Sequence, residues 1–205
     1  MTYAPKIVFL NGPKEVGKTT IANALSRCYV GKSLIVAHAD PLAWATAEMF
    51  WSSGDMIVSL KDAKIKRGPL PGFDHVVYSH LTAVDIKIPY TVRDWLVALG
   101  HFTRKELGED ALSRILLRRM IENEGFIEYF IVEGTRTNED IEAIVKHYGA
   151  TNCLVVRLFR EGHTFEGDLG YYIETEKYPD IPFLDLHNDG TVEDAVNAIV
   201  EKLDA

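Results

Sequence analysis

Residues 10–25 read LNGPKEVGKTTIANAL, and their reading decides the fold. Gly12, Gly17, Lys18 and Thr19 occupy every fixed position of the G-x-x-x-x-G-K-[ST] pattern. Before the loop, the apolar run KIVFLN ends at the glycine, as a buried strand does. After it, Ile21, Ala24, Leu25 and Cys28 fall on one face at helical spacing. A strand, a glycine loop and a helix start in this order bind phosphate. The two glycines let backbone N–H groups turn inward around phosphate oxygens, and the helix N-terminus adds its partial positive charge. Lys18 reaches the β- and γ-phosphates, and the Thr19 hydroxyl ligates Mg²⁺. The candidate nucleotide contacts are Gly12, Lys14, Val16, Gly17, Lys18, Thr19 and Thr20. The loop does not say what is done with the nucleotide. A small-molecule kinase, a GTPase, a motor and an ATP-driven DNA machine all remain open.

Outward from the loop, strand-like and helix-like runs alternate. Residues 33–40, SLIVAHAD, read as a second strand, and PLAWATAEMFW opens a helix with proline at its first position. TVRDWLVALG, residues 91–100, reads as a helix capped by Thr91 and ended by Gly100. DALSRILLRRMIE is a further helix, followed by a third strand (YFIVEG), a helix (NEDIEAIVKHYG) and a fourth strand (NCLVVRLF). PFLDLHND gives a short fifth strand, and TVEDAVNAIVEKL an amphipathic helix. Residues 52–90 have no clear pattern: KDAKIKR suggests a short helix, GPLPGF a break, and the rest a hairpin or an irregular insert. The alternation predicts an α/β three-layer fold with about five parallel strands and helices on both faces. Polar groups at the carboxyl ends of the strands are then the site candidates: the loop, Asp40, Glu133, and the pair Arg157 and Arg160.

Composition narrows the function classes. The chain has 205 residues, 47% hydrophobic and 25% charged, which suits a single globular domain. No apolar run approaches the roughly 18 residues of a membrane span, and the first residues do not read as a signal peptide. A net charge of −8 argues against a protein that coats nucleic acid. Cys28 and Cys153 read as two buried, reduced thiols, and no Cys/His spacing suggests zinc.

Beyond the loop, a set of short motifs appears in a fixed order: HADPL (38–42), TVRDWLVALG followed by Arg104, GEDA (108–111), FIVEGTRTNEDIEAI (130–144), Arg157, HTFE (163–166) and NDGT (188–191). In order and spacing they resemble the bacteriophage deoxynucleoside monophosphate kinase family, within the P-loop nucleoside-monophosphate-kinase group. The resemblance spans about nine-tenths of the chain and is poor over 52–90. Two positions depart from it. Glu133 stands three residues before Arg136, where the family usually has an aspartate two residues before its arginine. Phe165 stands where a serine is common.

The resemblance implies transfer of the ATP γ-phosphate to a deoxynucleoside monophosphate, with Mg²⁺ on the donor phosphates. It implies a P-loop NTPase core (1–40, 108–159 and 181–205), an acceptor-binding region over 41–107, and a lid over 160–180 that closes on ATP. Arg93 and Arg104 would fork onto the acceptor phosphate, and Arg157 and Arg160 would approach the transferring group. Arg136 would approach phosphate or the acceptor base. Asp40 either serves Mg²⁺ or the acceptor, or caps the following helix. Glu133 and Thr19 are the candidate metal side. His163 and Glu166 either shape the lid or touch substrate, Trp44 and Trp95 either pack the core or stack on a base, and Phe73, Tyr78 and Tyr90 in the insert are further candidates to stack on a base. A homodimer and a host-cytoplasm location follow from the resemblance alone. Two rivals stand beside it: a kinase of the same build acting on a modified nucleotide, a modified base in DNA or a small metabolite, and a nucleotide-binding switch or ATPase. No guanine-reading N-K-x-D segment is present.

Overall fold

Strand β1 (Lys6–Asn11) is central to a five-stranded sheet in the order β2-β3-β1-β4-β5, parallel throughout. The computed structural model describes residues 4–50, 91–166 and 170–204. The readings made for 51–90, including Phe73, Tyr78 and Tyr90, lie outside the described residues.

The chain divides into two compact units, Met1–His38 with Glu109–Ala205, and Ala39–Gly108. The first unit holds β1, α1 (Lys18–Cys28), β2 (Ser33–Ala37), a helix α4 (Ala111–Asn123), β3 (Tyr129–Thr135), α5 (Glu139–Tyr148), β4 (Cys153–Phe159), β5 (Phe183–His187) and α6 (Val192–Asp204). The second holds α2 (Asp40–Phe50) and α3 (Val92–Leu107).

In the first unit the middles of the central strands β1, β3 and β4 are apolar because both faces of the sheet are covered there. Alternate residues of β1 serve opposite layers. Ile7 and Phe9 pack with Leu116 and Met120 of α4 and with Ile141 and Ile144 of α5. Val8 and Leu10 pack with Ile21 and Leu25 of α1 and with Val196 and Ile199 of α6. This is the three-layer P-loop NTPase architecture that the sequence predicts. No helix of the described residues is long and apolar enough to cross a membrane.

Between β1 and β3 the register slips. Phe9 pairs with Val132, but Asn11 pairs with Thr135, so β3 carries one residue more than β1. Gly134 takes a left-handed φ of 74° at this point. An extra residue with a left-handed glycine is a β-bulge, a device that re-aims neighbouring side chains. Here the bulge falls on Glu133 and Gly134.

In the second unit α3 runs unbroken through Gly100 to Leu107, which corrects the expected helix end. A Cβ at Gly100 would lie 3.2 Å from Leu42 Cδ1 of α2. The glycine therefore serves close helix packing rather than a cap. Trp95 reinforces the pair, donating its indole N–H to Thr46 Oγ1 at 3.0 Å.

Candidate nucleotide site

The phosphate loop is held open by its own packing. Val16 is fully buried in the apolar layer beneath it. A Cβ at Gly12 would meet Leu158 O at 2.8 Å, and one at Gly17 would run into Nδ2 of Asn188. Asn188 follows β5, and its Nδ2 donates to Val16 O at 2.7 Å. Gly17, at φ 102°, is the N-cap of α1 and supplies no side-chain cap. The first turn of α1 also lacks acidic residues. The N–H groups of its first turn and the helix dipole therefore suit an anion. The N-terminus of α5 is a contrast: its first turn is acidic, and the Asp140 carboxylate accepts from the N–H groups of Arg136 and Thr137.

Lys18 Nζ donates to Gly12 O at 2.7 Å and Pro13 O at 2.5 Å. These contacts fold the ammonium back along the loop. Glu15 has a left-handed φ of 64°, uncommon for a residue with a Cβ. Lys14 and Glu15 are both exposed and lie 3.5 Å apart.

Thr19 and Glu133 meet. The Thr19 hydroxyl donates to Glu133 Oε2 at 2.8 Å. The two oxygens come from the first turn of α1 and the bulged end of β3. A hydroxyl and a carboxylate beside a phosphate cradle are the hard oxygen donors that Mg²⁺ takes, completed by phosphate oxygens and water. The residues present therefore fit the ion.

Other candidates take different positions. Arg157 makes a two-pronged contact to Asp185 on β5, at 2.6 and 2.7 Å, and donates to Ile173 O at 3.3 Å. The bond to Asp185 raises its pKa from the ordinary value. A charge inside an apolar strand thus finds its partner, and here it holds β4 to β5 and to the segment near Ile173. Arg160 is exposed just beyond β4. His163 Nδ1 contacts Glu161 O at 2.9 Å and Glu166 N–H donates to Thr164 Oγ1, so both shape the local turn. Arg136 has its backbone fixed on both sides, its N–H by Asp140 and its carbonyl by the Tyr171 N–H at 2.8 Å.

Part of the expected lid is fastened down. Tyr171 and Ile173 bond to Asn11, Glu174 N–H donates to Asn138 Oδ1, and Tyr178 OH donates to Asn138 O. Phe165 packs edge-on against Tyr172, which stacks on Phe159 at 4.3 Å. Residues 170–178 are thus a strap along the sheet.

In the second unit Arg93 is exposed and Arg104 half-buried on the continuous α3. Eleven residues of helix put them on the same face, about 16 Å apart along the axis. Asp40 is the first residue of α2 and is 4% exposed. Trp44 is half-buried on the same helix.

Sequence reasoning missed two residues. Asn188 was visible only as part of a short motif, and Asn11 only as the end of a strand. No local signal marks either, since their partners are remote in the chain.

No protein-family model and no curated protein matches the chain. Solved structures similar to it include the APS kinase CysC of Mycobacterium tuberculosis, at 11% identity and a TM-score of 0.45, covering 98% of this chain and 99% of that one. Shikimate kinase of Bacteroides thetaiotaomicron is similar at 15% identity and a TM-score of 0.41, covering 98% and 99%. A gluconokinase of Sinorhizobium meliloti 1021 is similar at 12% identity and a TM-score of 0.39, covering 100% and 94%. At these values the likenesses do not bear on substrate, and the chain's own residues carry the functional reading.

Proposed function

We propose that the protein transfers the γ-phosphate of ATP to a deoxynucleoside 5′-monophosphate. The observation that carries the donor half is the Thr19–Glu133 hydrogen bond beside the uncapped start of α1. It supports Thr19 and Glu133 as the residues that would hold Mg²⁺ beside the donor phosphates. When bound, the ion would neutralise charge on those phosphates. Lys18 leaves the loop carbonyls for phosphate oxygens, and the N–H groups of residues 14–19 cradle the rest. The incoming nucleotide phosphate is already an anion at neutral pH, so no base is required. Positioning and positive charge supply the catalysis.

The acceptor half rests on the motif resemblance. Arg93 and Arg104 grip the acceptor phosphate, Arg136 approaches phosphate or base, and Arg160 approaches the transferring group. Glu133, bonded to Thr19, is the metal-side carboxylate in this reading, and Asp40 starts α2 on the acceptor side. Arg157 acts through Asp185 and the strap.

The test is a panel of ATP, Mg²⁺ and each of the four common deoxynucleoside monophosphates, with products separated by ion-exchange chromatography. A diphosphate should form with at least one. Formation with none, by protein that binds MgATP, would move the acceptor to a modified nucleotide, a base in DNA or another small molecule.

A further inference from the structure

Asn11, the last residue of β1, is fully buried between β3 and β4. A polar side chain in a central strand is tolerated only when its hydrogen bonds are made. Asn11 makes all that its geometry invites. Its Nδ2 donates to Thr135 O at 3.1 Å and Tyr171 O at 3.0 Å, and its Oδ1 accepts from Ile173 N–H at 3.0 Å. Two partners are carbonyls and the third is an N–H, so one orientation of the amide satisfies all three.

These partners belong to separate parts of the donor half. Gly12 and the phosphate loop follow Asn11 directly. Thr135 lies just past the bulge that carries Glu133. Tyr171 and Ile173 belong to the strap, and Ile173 O in turn accepts from Arg157. We propose that Asn11 is a positioning residue: it fixes the phosphate loop against the Thr19–Glu133 pair and couples that site to the strap. The inference rests on the nucleotide reading above. No other side chain of this size serves. Leucine would leave two carbonyls and an N–H buried without partners. Aspartate keeps the acceptor for Ile173 but sets an anion against two carbonyls, which frees the bulge and with it Glu133.

The test uses the full chain and two readouts. In wild-type protein, hydrogen exchange at the Ile173 amide is followed with and without Mg²⁺ and a non-hydrolysable ATP analogue. Coupling predicts that the liganded site slows exchange by about tenfold. In Asn11→Asp, calorimetric titration should show the Mg²⁺ requirement for analogue binding raised by about tenfold. A purely structural role would lower thermal stability and leave both readouts alone. Unchanged Ile173 exchange in wild-type protein that binds the analogue would overturn the inference, and this arm needs no variant to fold. An unchanged Mg²⁺ requirement in Asn11→Asp would also overturn it. Wild-type protein that binds no analogue would instead refute the nucleotide reading on which the inference rests.

Discussion

Thr19 donates its hydroxyl to Glu133 at 2.8 Å across 114 positions of sequence. Neither residue is near the other until β3 is laid beside β1 and bulged at Gly134. If the pair serves Mg²⁺, Thr19→Val and Glu133→Gln should each lower Mg²⁺-supported turnover by about 10²-fold. The double variant should be little worse than the poorer single one, because the two groups act as a unit. Steady-state kinetics over a Mg²⁺ series check this. Multiplicative losses would show that the groups act separately.

Lys18 is held by two loop carbonyls, and its removal should separate chemistry from folding. Lys18→Ala should reduce phosphoryl transfer by at least about 10³-fold. The lost contacts are half-buried bonds within one loop, so stability should fall by about 1 kcal/mol, a Tm shift of about 2–4 °C. Turnover and thermal melts on the same preparation decide the matter. Retained turnover would remove the loop from the mechanism.

Gly17 meets two constraints at once, a φ of 102° and the Asn188 amide above it. Gly17→Ala should cost about 1–2 kcal/mol from backbone strain alone. It should also displace Asn188 from Val16 O and weaken nucleotide binding. Asn188→Ala in the same chain should relieve the steric part and leave the strain. Denaturant melts of the three variants test this partition.

The protein should lose stability in alkali. Burial pushes the Cys153 thiol up to about 12 from an ordinary 9.0, and the Tyr29 hydroxyl up to about 12 from an ordinary 10.0. Burial also raises Tyr148 and Tyr178. In each case the native state keeps a proton that the unfolded chain releases. This stabilisation is complete below the unfolded pKa values and is lost as pH rises from about 9 towards 12. Melting temperature against pH should be level on this account below about pH 8.5 and fall beyond it. Cys153 is buried as expected, but Cys28 is exposed at the last turn of α1, against the buried position read from helical spacing, so a thiol reagent should modify Cys28 first in native protein.

The fold was legible because its signals are local. Strands buried on both faces read as apolar runs, and the loop pattern fixed the first strand and helix. Thr19 and Glu133 were legible as separate candidates, each marked by its place at a strand or helix end, while their contact was not. Gly100 misled because a glycine after a helical run matches a terminator; only the approach of Leu42 explains it. Asn11 carried no signal, since its partners lie 124 to 162 residues away. The lid over 160–180 is what the resemblance implies for a polar, glycine-containing stretch. Those features cannot reveal that Asn11 and Asn138 fasten its second half. Arg157 reads as a residue that approaches the transferring group, whereas its contact with Asp185 follows from strand pairing, which the sequence does not state.

The central claim is that the γ-phosphate moves to an acceptor rather than to water. The most direct measurement follows the label from ATP carrying radioactive γ-phosphate, with Mg²⁺ and the deoxynucleoside monophosphate most active in the panel. The account predicts label in the β-position of the deoxynucleoside diphosphate, with ADP formed in equal amount. Label appearing only as inorganic phosphate, at a rate indifferent to the acceptor, would contradict it and identify the protein as an ATPase or nucleotide switch.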